Sequence, residues 1–126
     1  MKTLHTAYRV SDLERALAFY RTVGFREIGR VAPGDESLLV MLHLPDDGNV
    51  VTLELVHAPA RGTIEMGTGF SHIAVQVADL AATLAPLAAA GSSAQAARPD
   101  RRSVPSTIRT ATASNSSSGH PVTRTA

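Results

Sequence analysis

The sequence predicts an α+β protein built from two tandem βαβββ modules, the second incomplete, followed by a disordered C-terminal tail. Three observations predict this. A stretch near the start recurs 67 residues later without a gap. Within each copy the hydropathy pattern switches from a period of two to a period of 3.6. Composition then changes abruptly after Gly91.

The repeat sets residues 5–24, HTAYRVSDLERALAFYRTVG, against residues 72–91, HIAVQVADLAATLAPLAAAG. Eight of the twenty pairs are identical, among them His5/His72, Asp12/Asp79, Leu17/Leu84 and Gly24/Gly91. Two amphipathic strand–helix units share some residues by chance. Matching a His, an Asp and a terminal Gly in one ungapped frame makes a true internal repeat the better reading.

The first copy opens as a strand. Leu4, Thr6, Tyr8 and Val10 alternate with His5, Ala7 and Arg9, which places His5 and Arg9 on one face. Ser11 stands where an N-cap belongs, with Glu14 three residues on, the pattern of a capping box. Leu13, Ala16, Leu17 and Tyr20 then keep helical spacing up to Gly24, a natural stop. FREIGRV predicts the next strand. ESLLVMLHL and VVTLELVH predict two more, and the Asp-Gly of the intervening PDDGN predicts a tight hairpin. Phe19, Tyr20 and Phe25 are expected in the core. The first module therefore covers residues 1–60, with a connector at 61–69.

Residues 70–91 begin the second module. Ile73, Val75 and Val77 alternate with His72, Ala74 and Gln76, and Asp79 lies near the start of a helix carrying Leu80, Leu84 and Leu87. Pro86 is expected to kink that helix or end it early. Residues 92–126 hold Val104, Ile108 and Val122 as their only large apolar residues and no aromatics, a composition that predicts disorder.

Charge follows the same division. Residues 1–91 carry 7 Lys/Arg against 10 Asp/Glu, whereas residues 92–126 carry 5 Arg against one Asp. No basic patch interleaved with aromatics occurs, so nucleic acid is not an expected partner. The absence of cysteine excludes disulfides and thiolate metal sites. No apolar run reaches the ~20 residues of a membrane helix, and no uninterrupted apolar stretch follows Lys2 as in a signal peptide. A soluble, cytoplasmic protein is expected.

The repeat singles out the chemistry. His5 and His72 hold equivalent places on equivalent strands, so a pseudo-twofold relation brings both to one shared cleft. Glu54 is the third candidate. It lies inside VVTLELVH, where a carboxylate is costly unless paired or metal-bound. Each residue alone reads more simply as solvated; together they form an N/O ligand set for a divalent ion such as Zn, Ni, Fe, Co or Mn. Arg9, on the His5 face, suits a substrate carboxylate or a half-exposed strand about equally. His43, His57 and His120 lack the symmetry and read as solvated.

LHTAYRVSDLERALAFYRTVGFRE, LELVH and GFSHIAVQVADL together resemble the vicinal oxygen chelate superfamily and, within it, the glyoxalase I (lactoylglutathione lyase) family. The resemblance covers residues 1–91. It implies two βαβββ units around a divalent metal, with His5, Glu54 and His72 as ligands and Arg9 matching an arginine that binds a glutathione carboxylate. It further implies a homodimer that isomerises the hemithioacetal of a 2-oxoaldehyde and a thiol to a 2-hydroxyacyl thioester, with Glu54 carrying the proton. Related members suggest two other readings, a ring-cleaving dioxygenase and a metal-free module that sequesters antibiotics of the bleomycin type.

Two positions depart from the family pattern. Ala58 stands where an Asn usually helps hold glutathione. The fourth ligand, a Glu late in the second unit, has no counterpart, since no Glu follows Arg98 and the repeat offset leads to Pro121. Weak or absent turnover is the expectation. Read one base out of frame, with TCN codons for Ser114, Ser116 and Ser118 and an AGY codon for Ser117, SNSSS at residues 114–118 becomes an apolar–polar alternation, the pattern of the missing strand.

Overall fold

The computed structural model describes residues 1–65, 67–69, 72–92, 94–96 and 107–110. Among these the order is β1 (Thr6–Arg9), α1 (Leu13–Val23), β2 (Arg26–Val31), β3 (Leu38–His43), β4 (Leu53–His57), β5 (Ile73–Gln76), α2 (Leu80–Ala89), β6 (Ala94–Ala96) and β7 (Thr107–Thr110). Single 3-10 turns lie at Pro45–Asp47 and Pro59–Arg61. The first module is the predicted βαβββ unit. Its sheet runs β1-β4-β3-β2, with β1 parallel to β4 and the other pairs antiparallel. The second module is incomplete. Its described strands form a sheet in the order β5-β7-β6, with both pairings antiparallel.

The repeat extends to hydrogen bonds. Asp12 caps α1 by accepting from the Arg15 amide at 3.0 Å, and Asp79 caps α2 by accepting from the Ala82 amide at 2.9 Å. The cap of α1 is thus Asp12, not Ser11 as the capping-box pattern suggested. Asp and Ser cap equally well, and only the Asp recurs in both copies. The C-termini match as well. Phe25 N–H reaches Tyr20 O and Gly24 N–H reaches Arg21 O; 67 residues on, Ser92 N–H reaches Leu87 O and Gly91 N–H reaches Ala88 O. These are paired Schellman ends, with Gly24 (φ 122°) and Gly91 (φ 71°) at the position that disfavours a Cβ. Pro86 does not end α2. The helix continues to Ala89, and Pro86 accepts from the Ala90 amide.

α1 lays Leu13, Leu17, Tyr20 and Val23 against Val40, Leu42, Leu53 and Leu55 of the sheet. Phe19, Tyr20 and Phe25 are buried as expected and meet edge to face, with ring centroids 5.2 and 5.6 Å apart. Val75 and Leu87 bring the second module into the same core.

Two further differences from the sequence reading have local causes. The Asp-Gly dipeptide does not make a two-residue hairpin; residues 44–52 form a longer loop, and β4 begins only at Leu53. The Asp47 carboxylate accepts from the Leu44 amide (3.3 Å) and the Thr52 hydroxyl (2.9 Å), and His43 Nδ1 donates to the Gly48 carbonyl (2.7 Å). His43 therefore holds this loop rather than merely facing solvent. The sequence also placed no strand beyond Gly91, yet β6 and β7 form there. Thr107, Ile108 and Thr110 are β-branched, which favours a strand. The predicted disorder of residues 97–106 and 111–126, and His120 with it, lies outside the described residues.

Candidate metal centre

β4 turns Leu53 and Leu55 into the core and leaves Glu54 on the opposite face of the sheet. Parallel pairing sets Ala7 of β1 beside Glu54, and His5 immediately precedes β1. The result is a pair. His5 Nε2 lies 3.8 Å from Glu54 Oε2, with the two side chains 37% and 16% exposed. That distance is too long for a hydrogen bond. It is close to the ~3.4 Å expected between two donors each ~2.0–2.2 Å from one tetrahedral ion. An imidazole nitrogen and a carboxylate oxygen suit Zn, Ni, Co, Mn or Fe alike, so the pair fits a divalent metal as half of a ligand set.

His72 stands exposed just before β5, the place equivalent to His5 before β1. It does not join the other two in one cluster: among the described residues no three His, Cys, Asp or Glu side chains gather closely enough to hold an ion. A groove of about 1110 Å³ lies between the modules, lined by Thr6, Thr52 and Leu53 on one side and Ile73, Val75 and Val77 on the other.

Arg9 shares the face of His5, as the alternation predicted, but its guanidinium is committed. Nη2 donates to the carbonyls of Gly62 (2.9 Å) and Ala58 (3.4 Å), and Nε is buried without a hydrogen-bond partner. Arg9 thus ties the turn after β4 to the end of β1. A second arginine anchors the same turn from outside: Arg61 Nη2 bonds Asp35 Oδ2 at 3.0 Å. Hydrogen bonds from Ser37, then Arg61, hold the Asp35 carboxyl down at about 2. Sequence reasoning passed over Asp35, Ser37 and Arg61. The Asp35-x-Ser37 spacing is an Asx-turn signal that marks the first two.

A βαβββ module with a His–Glu pair on its open sheet face, followed by a second copy of its opening strand and helix, defines a class of proteins built from duplicated modules. The chain belongs to the Glyoxalase/Bleomycin resistance protein/Dioxygenase superfamily, whose pattern matches residues 2–108. It is 33% identical over 93 residues to the lactoylglutathione lyase of Haemophilus influenzae, covering 72% of this chain and 69% of that protein. It is 32% identical over 92 residues to a probable lactoylglutathione lyase of Vibrio parahaemolyticus, covering 71% and 67%. In structure it is similar to the trypanothione-dependent glyoxalase I of Leishmania major, with a TM-score of 0.61, 27% identity, and coverage of 80% of this chain and 73% of that one.

Proposed function

We propose that this chain is a glyoxalase I-like lyase that isomerises the hemithioacetal of a 2-oxoaldehyde and a thiol to a 2-hydroxyacyl thioester. The observation that carries the proposal is the 3.8 Å His5–Glu54 pair on the open face of the first sheet, in a chain similar to lactoylglutathione lyases. His5 and Glu54 of one copy would hold the divalent ion, with His72 supplied by a second copy in a homodimer. His72 is exposed and sits at the repeat-equivalent position, and a twofold axis is the simplest operation that carries it to the pair.

When bound, the ion supplies Lewis acidity to the substrate oxygens. Glu54 does the proton work. Its carboxylate takes the proton from the carbon bearing sulfur and returns it to the adjacent carbon, base and then acid. The reaction is a net isomerisation, so no external oxidant or reductant is needed. Leu53 and Leu55, buried on either side in sequence, fix the height of Glu54 above the sheet. Arg9 fixes the turn that follows β4. With Glu54 as the one carboxylate beside His5 among the described residues, turnover is expected to be slower than in an enzyme whose ion has two.

The test is thioester formation from methylglyoxal and glutathione, or trypanothione, with metal content measured on the same protein. Activity that vanishes on chelation and returns with a divalent ion supports the proposal. A protein that binds one equivalent of metal yet forms no thioester with either thiol overturns it.

A further inference from the structure

The strands of the first sheet carry three arginines, Arg9, Arg26 and Arg30, and the register sorts them. Val40 and Leu42 of β3 are buried beneath α1, so their partners on β2 share that side. Arg30 stands opposite Val40 and Glu27 opposite Leu42. These two pair with each other there, and Arg21 of α1 joins Glu27. Arg26 stands opposite His43, and strand alternation puts both on the other side, the open face that carries Glu54. Arg26 is exposed, and among the described residues no hydrogen bond or ion pair engages it.

Continuing the registers by one residue sets Arg26, His43, Thr52 and His5 in one row across β2, β3, β4 and β1. Glu54 lies in the next row and Arg9 in the row after that. The His5–Glu54 pair thus has a cation on two sides, Arg9 along β1 and Arg26 across the sheet. With strands ~4.8 Å apart, the Arg26 Cα stands roughly 14 Å from that of His5 and the His43 Cα roughly 10 Å. Long side chains and a substrate several bonds in length bridge that span.

The two arginines are not equivalent. Arg9 Nη2 is held by the carbonyls of Gly62 and Ala58, and Ala58 is buried and adds only a methyl group. Arg26 keeps its donors. Beside it, His43 donates Nδ1–H to the Gly48 carbonyl at 2.7 Å. That bond fixes the tautomer of the neutral ring and leaves Nε2 as an acceptor. A guanidinium that donates and an imidazole nitrogen that accepts, neighbours in register, match a carboxylate with an N–H close to it. Such a group ends a peptide or an amino acid.

We infer that Arg26, with His43 beside it, forms the anion subsite that orients the substrate. It binds a carboxylate of a peptide thiol, so that the thiol lies across β3 rather than along β1 toward Arg9. Arg26 is then a specificity-determining residue, and the proton chemistry stays with Glu54. The inference rests on the proposed lyase reading for the identity of the thiol, but its readout is binding.

The test is isothermal titration with S-methylglutathione, which carries the carboxylates but cannot react, and with its diethyl ester, in which both are blocked. Wild type is expected to bind the acid at least about 10-fold more tightly than the ester. In Arg26→Ala that preference should disappear. Arg26→Glu, a change at an exposed position, should reverse it. Arg9→Ala should leave it in place. A full preference retained in Arg26→Ala, its loss in Arg9→Ala alone, or wild type that does not distinguish acid from ester overturns the inference. Thioester formation is measured separately. Carboxylate-dependent binding without turnover counts against the proposed function alone, and turnover without carboxylate preference counts against this subsite alone.

Discussion

Glu54 and Leu55 are neighbours on one strand with opposite duties, and substitution separates them. Leu55 is fully buried beneath α1. Leu55→Ala is expected to cost about 2–5 kcal/mol in chemical denaturation through the cavity it leaves. Glu54→Gln keeps the volume and removes the charge, so the denaturation midpoint of the metal-free protein should hardly move. Its metal affinity should fall by about 10–100-fold or more in isothermal titration, and thioester formation by about 10²–10⁴. A Glu54→Gln protein that binds metal like wild type would remove Glu54 from the ligand set. Tyr20 offers a readout of the core itself. Burial, with a smaller contribution from Tyr8, pushes its hydroxyl up to about 12. The unfolded chain ionises near 10, whereas the folded chain keeps the proton, so stability is full below pH 10 and is lost as pH rises toward 12. About 2 kcal/mol should disappear across that window. Tyr20→Phe should flatten that part of the curve in pH-dependent urea melts.

At the scale of elements, the two Asp caps make the repeat testable as structure. Asp12→Ala and Asp79→Ala should each cost about 1 kcal/mol, since each removes the side chain that accepts from its helix N-terminus. The positions were legible because an N-cap, a Gly stop and 3.6-residue spacing are local chemistry, and local chemistry repeats with the sequence. The first sheet was legible for the same reason: β2, β3 and β4 each read as β-rich runs bounded by turn residues. What escaped was chemistry that joins distant segments. The loop at residues 44–52 looks like a two-residue turn until Asp47 is seen bonding both ends of it. Arg9 reads as a free cleft arginine until Gly62 and Ala58 are brought to it across 53 and 49 residues. Arg9→Ala is expected to loosen the turn at Pro59–Arg61, seen as faster hydrogen exchange and protease cleavage around residues 59–64. Arg9→Lys should restore little of this, because an ammonium lacks the fork that spans two carbonyls. If Arg9→Ala instead left exchange unchanged and only weakened thiol binding, Arg9 would be a substrate anchor and not a tether.

At the scale of the whole molecule, the sequence singled out His5 and His72 by symmetry and Glu54 by its place in an apolar strand, and expected all three to converge in one shared cleft. A pseudo-twofold relation within a chain and a true twofold between chains leave the same trace in a sequence. Within one copy His5 and Glu54 meet at 3.8 Å, while His72 joins no three-residue cluster among the described residues. Mixing two dead variants decides the matter. His5→Ala and His72→Ala each disable every site in their own homodimers. In a heterodimer with sites shared between chains, one site inherits both lesions and the other inherits none. Random reassociation makes about half the dimers mixed, so about one quarter of wild-type metal binding should return on mixing. Sites contained within single chains would return nothing, because every site still carries a lesion. The measurement is bound metal per chain after denaturing the two variants together, refolding them and removing loosely held ions. The same experiment with two copies of one variant sets the baseline. Recovery needs the dimer as well as the ligands, so dilution below the dimer dissociation constant should abolish it, and a recovered signal independent of protein concentration would argue for closure within one chain.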